Sequence, residues 1–221
     1  MFWLQHEILR RPSLLADLRA ECIQHLTSDT SLDEPVRFNT SGLRSQPLLQ
    51  SSIAEILRLR THVFIMRYPD QHDMDIGEWR IPKESLVMAC STTSHMDPSL
   101  WNTTLPLTAF WAERFLEQPK SCEKHKTAKH KPRFSSRGLD GVWLPFGGGA
   151  QMCPGQQFSR TAISLVPALM ITLFDVELCC PGKKLPVSWS HFGAGVIRPG
   201  AKVPFRIRKR VGVFPAPAVS R

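Results

Sequence analysis

Apolar residues recur at helical spacing in four stretches of this chain. Leu14, Leu15, Leu18, Cys22 and Leu26 fall at offsets of one, three and four and predict a helix over about 12–27. Residues 1–10 have the same character, and Arg11-Pro12 separates the two helices, because proline suits a first turn and not an interior. Residues 47–60 give a third helical pattern and 156–174 a fourth. The fourth holds the longest apolar run, 162–174, where Pro167 predicts a kink. Short strands are expected near 63–68, 74–79 and 85–91, and again within 186–208. In that last part, 191–200 followed by 203–208 reads as a hairpin and edge strand with Pro199-Gly200 as its turn. Residues 28–46, rich in Ser, Asp and Thr, read as a loop, and no internal repeat is visible. The pattern is that of an α+β chain, mainly α, with small sheets.

Composition narrows the class. At 221 residues and 42% apolar content the chain is sized for one sizeable core. No stretch reaches the ~18–20 apolar residues of a membrane span, and the opening Met1-Phe-Trp-Leu does not resemble a signal peptide. Cysteines 22, 90, 122, 153, 179 and 180 lack a paired framework, which predicts a reducing, intracellular compartment. Lys and Arg outnumber acidic residues 28 to 19, for a net charge of +9. Much of that excess lies in 120–133, where Cys122, His125 and His130 have spacings a zinc site could use. The surrounding lysines would repel a cation and a fourth nearby ligand is missing, so the stretch reads as a solvated basic loop. Without aromatic interleaving or a recognised motif, nucleic acid is not an expected partner.

The strongest chemical signal is Phe146-Gly-Gly-Gly-Ala-Gln-Met-Cys153-Pro-Gly155. Glycines at 147–149 and 155 allow the backbone to wrap closely around one sulfur. Inward amides and the start of the helix that follows would favour a thiolate there. Phe, two Gly and Cys at these offsets should arise by chance in only about one chain in a thousand, so the signal is specific. The alternative for a lone cysteine is a buried structural thiol beside a turn. The segment resembles the haem-binding signature of the cytochrome P-450 superfamily, in which the cysteine thiolate is the axial ligand of the iron. That resemblance makes Cys153 the expected metal ligand, with Phe146, Gly149 and Gly155 in the haem-binding loop.

Two further segments carry the same resemblance. Glu55 and Arg58 lie three apart within the 47–60 pattern, on one helical face. Phe110-Trp-Ala-Glu-Arg114-Phe-Leu is similar to the family's Phe-x-Pro-Glu-Arg-Phe segment, with Ala112 in place of proline. By resemblance Glu55, Arg58 and Arg114 form a buried ion triad that supports the haem-side core, whereas Arg60, two residues on, faces elsewhere. Arg67, nine residues beyond Arg58, then Ser94-His-Met-Asp-Pro98 and Gln151 resemble the branch of sterol and bile-acid hydroxylases and prostacyclin synthase, with their fungal relatives of specialised metabolism. The resemblance makes Arg67 the expected partner of a haem propionate, a solvated strand residue being the alternative. Gln151 reads as a loop amide bonding its own backbone. Val63, Phe64, Ile65 and Met66 would line a pocket above the haem, although a plain core strand has the same apolar character.

The resemblance implies a monooxygenase acting on a lipophilic sterol, terpenoid or polyketide-like molecule in specialised metabolism. Its implied partner is NADPH-cytochrome P-450 reductase, docking on the cysteine side. A peroxide-rearranging isomerase and a non-enzymatic truncated relic are the alternatives. Residues 1–221 are expected to be a partial domain, the C-terminal, cysteine-bearing half, starting at the end of the family's central helix. The distal-pocket helices and the anchor that ties relatives to the endoplasmic reticulum are not expected within it. On that expectation the 221 residues alone do not catalyse oxygenation.

Overall fold

The computed structural model describes residues 1–27, 37–117 and 132–211, and is 36% helical and 22% strand. Its helices are α1 (Phe2–Leu9), α2 (Pro12–Ile23), α3 (Thr40–Arg44), α4 (Pro47–Arg60), α5 (Ser91–His95) and α6 (Gln156–Leu173). Prolines open α2 and α4 at the first turn, where a missing amide leaves nothing unpaired. Asn39 caps α3 by accepting from the Gly42 amide at 3.0 Å.

Helix α4 is the centre of the molecule. Leu49, Ile53, Ile56, Leu57 and Leu59 pack with Leu4 and Ile8 of α1, Leu14, Leu18 and Cys22 of α2, and Ala168 and Ile171 of α6. On its other side Ala54 meets Trp101 and Phe115 in a second apolar cluster. A helix buried on so many sides must satisfy its polar groups internally. At its N-terminus the Glu21 carboxylate of α2 accepts the Leu48 and Leu49 amides at 3.1 and 3.0 Å. Burial raises the Glu21 pKa, and the two amide bonds pull the other way.

The chain leaves α4 directly into the strand Thr61–Arg67, the middle of a three-stranded antiparallel sheet. Ala194–Val196 pairs with its first half and Val87–Cys90 with its second, placing Ala194 opposite Val63 and Cys90 opposite Phe64. Met74–Ile76 and Trp79–Ile81 form a small hairpin. Helix α6 runs into Phe174–Leu178, which pairs with Phe205–Lys209. The indole N–H of Trp3 donates to the Ile197 carbonyl at 2.7 Å and so ties the first helix to the C-terminal strands.

Several expectations change. Pro199-Gly200 does not turn a self-contained hairpin: Ala194–Val196 pairs beside α4, Arg198–Pro199 pairs with Val187–Ser188, and Phe205–Lys209 joins the strand after α6. Ala194–Val196 and Phe205–Lys209 find distant partners that turn chemistry cannot specify, whereas Arg198–Pro199 pairs locally. Helix α6 runs unbroken through Pro167, and α2 ends at Ile23, four residues short of the predicted limit. The expected loop 28–46 contains Arg37–Phe38, paired with Leu26–Thr27, and then α3. Residues 28–36 lie outside the described residues. So do Cys122, His125 and His130 of the basic stretch.

Leu18 is fully buried where α2 meets the core around α4. Leu18→Ala should destabilise the fold by about 2–5 kcal/mol, measured as a lowered urea midpoint with an unchanged slope.

Candidate functional site

Glu55 and Arg58 lie on the face of α4 that meets the segment around residues 95–115. Arg58 engages the Glu55 carboxylate in a fork, Nε to Oε2 at 2.8 Å and Nη2 to Oε1 at 2.9 Å. Arg114 Nε lies 3.0 Å from each oxygen of the same carboxylate, and the Trp111 amide reaches Oε1 at 3.3 Å. Exposure of the three charged side chains is 0–1%, so protein groups must take over most of their hydration. Further guanidinium N–H groups donate to loop carbonyls, Arg58 to His95 at 2.8 Å and Leu107 at 2.6 Å, Arg114 Nη1 to Asn102 at 2.5 Å, while Arg114 Nη2 is buried without a hydrogen-bond partner. Two cations on one anion leave a formal excess of positive charge. The faces of Trp101 and Trp111 oppose it, 5.3 Å from Arg58 and 5.1 Å from Arg114. A lysine could supply the charge but not the fork that binds carboxylate and carbonyls together.

The cysteine loop closes on itself through backbone bonds. The Cys153 amide donates to the Phe146 carbonyl at 3.0 Å, the Gly147 amide to Leu144 at 3.2 Å and the Met152 amide to Gly149 at 3.1 Å. Gly147 and Gly149 take φ of +74° and +69°, which a side chain would strain. Gly148 is extended and Gly155 has a negative φ, so neither is required for a left-handed turn. Gly155 instead lies against the sulfur, where an added Cβ would sit 3.7 Å from Cys153 Sγ. Cys153 is exposed, unpaired and three residues before α6 begins. Phe146 anchors the loop to the main core, with the Arg160 guanidinium 5.7 Å from its ring.

Arg67, at the end of its strand, reaches this loop. Its Nη2 donates to the Gly148 carbonyl at 2.8 Å and its Nη1 to Gln151 Oε1 at 3.1 Å. Gln151 therefore bonds a strand 84 residues away and not its own backbone, which local sequence could not show. Arg60 faces away from the triad, towards α1. It stacks 4.1 Å over the Trp3 ring and lies 3.9 Å from Glu7, so it helps to join α1 to α4. On the strand Thr61–Arg67, Phe64 is half-buried against Phe192 with ring centroids 5.6 Å apart, whereas Met66 is exposed.

Sequence reasoning gave His95 no role beyond its place in a branch-specific string. It is fully buried, with Nδ1 3.1 Å from the Arg58 carbonyl and Nε2 accepting from the Leu144 amide at 3.0 Å. Burial pushes its pKa down to about 4; Arg58 and His62 also disfavour a second proton, and the Arg58 carbonyl opposes them.

The family model described as Cytochrome P450 matches residues 1–205. The chain belongs to the cytochrome P450 family. It is 36% identical to the cytochrome P450 monooxygenase efuG of Hormonema carpetanum, over 94% of this chain and 40% of that protein. It is 38% identical to the cytochrome P450 monooxygenase fsoE of Humicola fuscoatra, over 94% and 39%. A 25-hydroxycholesterol 7-alpha-hydroxylase of Rattus norvegicus is 29% identical, over 95% and 50%. The chain thus spans 39% to 50% of the length of these curated relatives. A P450 family member implies a haem cofactor, and the residues present fit one. Cys153 offers an unpaired, accessible sulfur on a loop whose nearest backbone carries no Cβ. Among the described residues no cluster of three or more His, Cys, Asp or Glu offers an alternative metal site. No described helix is long and apolar enough to cross a membrane.

Removing Arg58 would strand the Glu55 carboxylate with one cation and free two loop carbonyls. Arg58→Ala should cost about 3–5 kcal/mol in urea unfolding, against a change within ~0.5 kcal/mol for the exposed Arg206→Ala. A pH effect follows from His95. Its folded pKa lies below the ordinary 6.5, so the stability it contributes is complete above pH 6.5 and is lost as pH falls towards 4. The difference in urea stability between wild type and His95→Gln should therefore narrow steadily across that window.

Proposed function

We propose that Cys153 is the axial thiolate ligand of haem, and that this chain is the C-terminal, cysteine-bearing half of a monooxygenase for lipophilic small molecules. The observation that carries the reading is the placement of an exposed, unpaired cysteine on a self-closed glycine loop just before α6. When bound, a thiolate-ligated haem supplies cleavage of the O–O bond and insertion of oxygen into a C–H bond. The chain's own residues hold and tune that group. The sulfur stands exposed three residues before the N-terminal end of α6. Gly147 and Gly149 shape the loop, Gly155 lies against the sulfur, and Phe146 plugs the loop into the core. Arg67 places a guanidinium at the loop and would face a propionate, with Gln151 as a neutral companion. Glu55, Arg58 and Arg114 support this side of the core.

The substrate class rests on the relatives and on the apolar run from Val63 to Met66. A sterol, terpenoid or polyketide modified in specialised metabolism is the reading that joins fungal P450 monooxygenases with sterol hydroxylases. The net charge of +9 suits an acidic electron donor, which would be an NADPH-cytochrome P-450 reductase steered by complementary charge. A reductase of that kind would place the enzyme inside the cell, on the endoplasmic reticulum surface.

In the haem-loaded chain, Cys153→Ser should abolish the red-shifted carbon-monoxide band of thiolate ligation, while Cys90→Ser and Cys179→Ser keep it. Persistence of the band in Cys153→Ser would remove the ligand assignment.

A further inference from the structure

The cysteine loop closes its own hydrogen bonds but needs a fixed attachment to the body of the protein. Upstream of it the opportunities are few. Pro145 has no amide N–H, and the Gly147 amide is used within the loop. The last backbone donor before that proline is the Leu144 amide, and it goes to His95 Nε2 at 3.0 Å. The Leu144 carbonyl then takes the Gly147 amide, and the Phe146 carbonyl takes the Cys153 amide. Only a few bonds separate His95 from the cysteine.

On its other side His95 is locked to the ion triad reciprocally. Arg58 Nη1 donates to the His95 carbonyl at 2.8 Å, and His95 Nδ1 lies 3.1 Å from the Arg58 carbonyl. That carbonyl belongs to the last turn of α4, where helix geometry provides no intrahelical donor. The donor–acceptor pattern fixes the tautomer: Nε2 must accept from an amide, so the proton sits on Nδ1. Imidazolium would set an N–H against the Leu144 N–H.

We propose that His95 is a positioning residue which, as the neutral Nδ1–H tautomer, couples the Glu55–Arg58–Arg114 cluster to the Cys153 loop through the Leu144 amide. The inference rests on the reading of Cys153 as the haem thiolate. His95 acts through Leu144 and is not itself a ligand. Its depressed pKa keeps the ring in the required form at neutral pH, with Arg58 on α4 and His62 on the adjoining strand as the charged and titratable neighbours that oppose protonation.

The test uses the haem-loaded, full-length protein and two amide variants. In His95→Gln the carboxamide oxygen can take the place of Nε2 and accept from Leu144. In His95→Asn the amide can still donate to the Arg58 carbonyl, but it is too short to reach Leu144. In mild urea, His95→Asn is expected to lose the red-shifted carbon-monoxide band about tenfold faster than wild type, with His95→Gln within about twofold. Equal rates in the two variants, once matched for unfolding midpoint, would reduce His95 to a core-filling residue. Amide hydrogen exchange of wild type gives a second measurement that does not depend on a variant folding. Leu144 should be protected to the same degree as Cys153, and free exchange at Leu144 overturns the proposal. Cys153→Ser run in the same series separates the two readings. If it keeps the band, the ligand assignment fails; if it loses the band while His95→Asn decays as wild type does, only the coupling fails.

Discussion

One buried carboxylate organises this structure. Glu55 sits at the middle of a helix packed on nearly every side, and its charge could not remain there without compensation. Arg58 supplies the first partner from the same helix, and Arg114 brings the second from 59 residues away. The donors left over fix the backbone at His95, Asn102 and Leu107. A stretch with little regular structure is thereby held to α4 by charge-assisted hydrogen bonds, and apolar contacts of Trp101 and Phe115 fill the space beneath. The loop is ordered because the charge must be satisfied.

The Cys153 loop follows a different logic. Its shape comes from backbone bonds among its own residues and from two glycines in a left-handed conformation. Its position comes from outside, through three attachments on different elements. Phe146 enters the core, Arg67 grips Gly148 and Gln151 from the end of a strand, and His95 holds Leu144 just upstream. Division of the work leaves the sulfur free of side-chain partners, as a metal ligand requires, while the surrounding backbone has little freedom to move.

How much could be read in advance depended on how local each feature is. The helices Phe2–Leu9, Pro12–Ile23, Pro47–Arg60 and Gln156–Leu173 were legible because helical periodicity is a property of neighbours. The cysteine motif and the Glu55–Arg58 pair were legible because their residue types at short spacing carry the signal. Arg114 could be set beside them only by resemblance, since no pattern within one segment points to a partner 56 residues further on. Short helices such as Thr40–Arg44 and Ser91–His95 escaped because one turn has too few positions to show a period.

The sequence by itself determined the family, the cysteine and the helix that carries the buried carboxylate. Only the tertiary structure decided the partners. It sent the segments on either side of Pro199-Gly200 to different sheets, turned Gln151 towards Arg67, laid Arg60 on Trp3 and aimed the two nitrogens of His95 at Arg58 and Leu144. The physical reason is common to all four. A strand edge, an amide, a guanidinium or an imidazole must be satisfied by something once water is removed, but its own chemistry does not say by what. That choice is made by which distant groups the packing around α4 brings within about 3–4 Å.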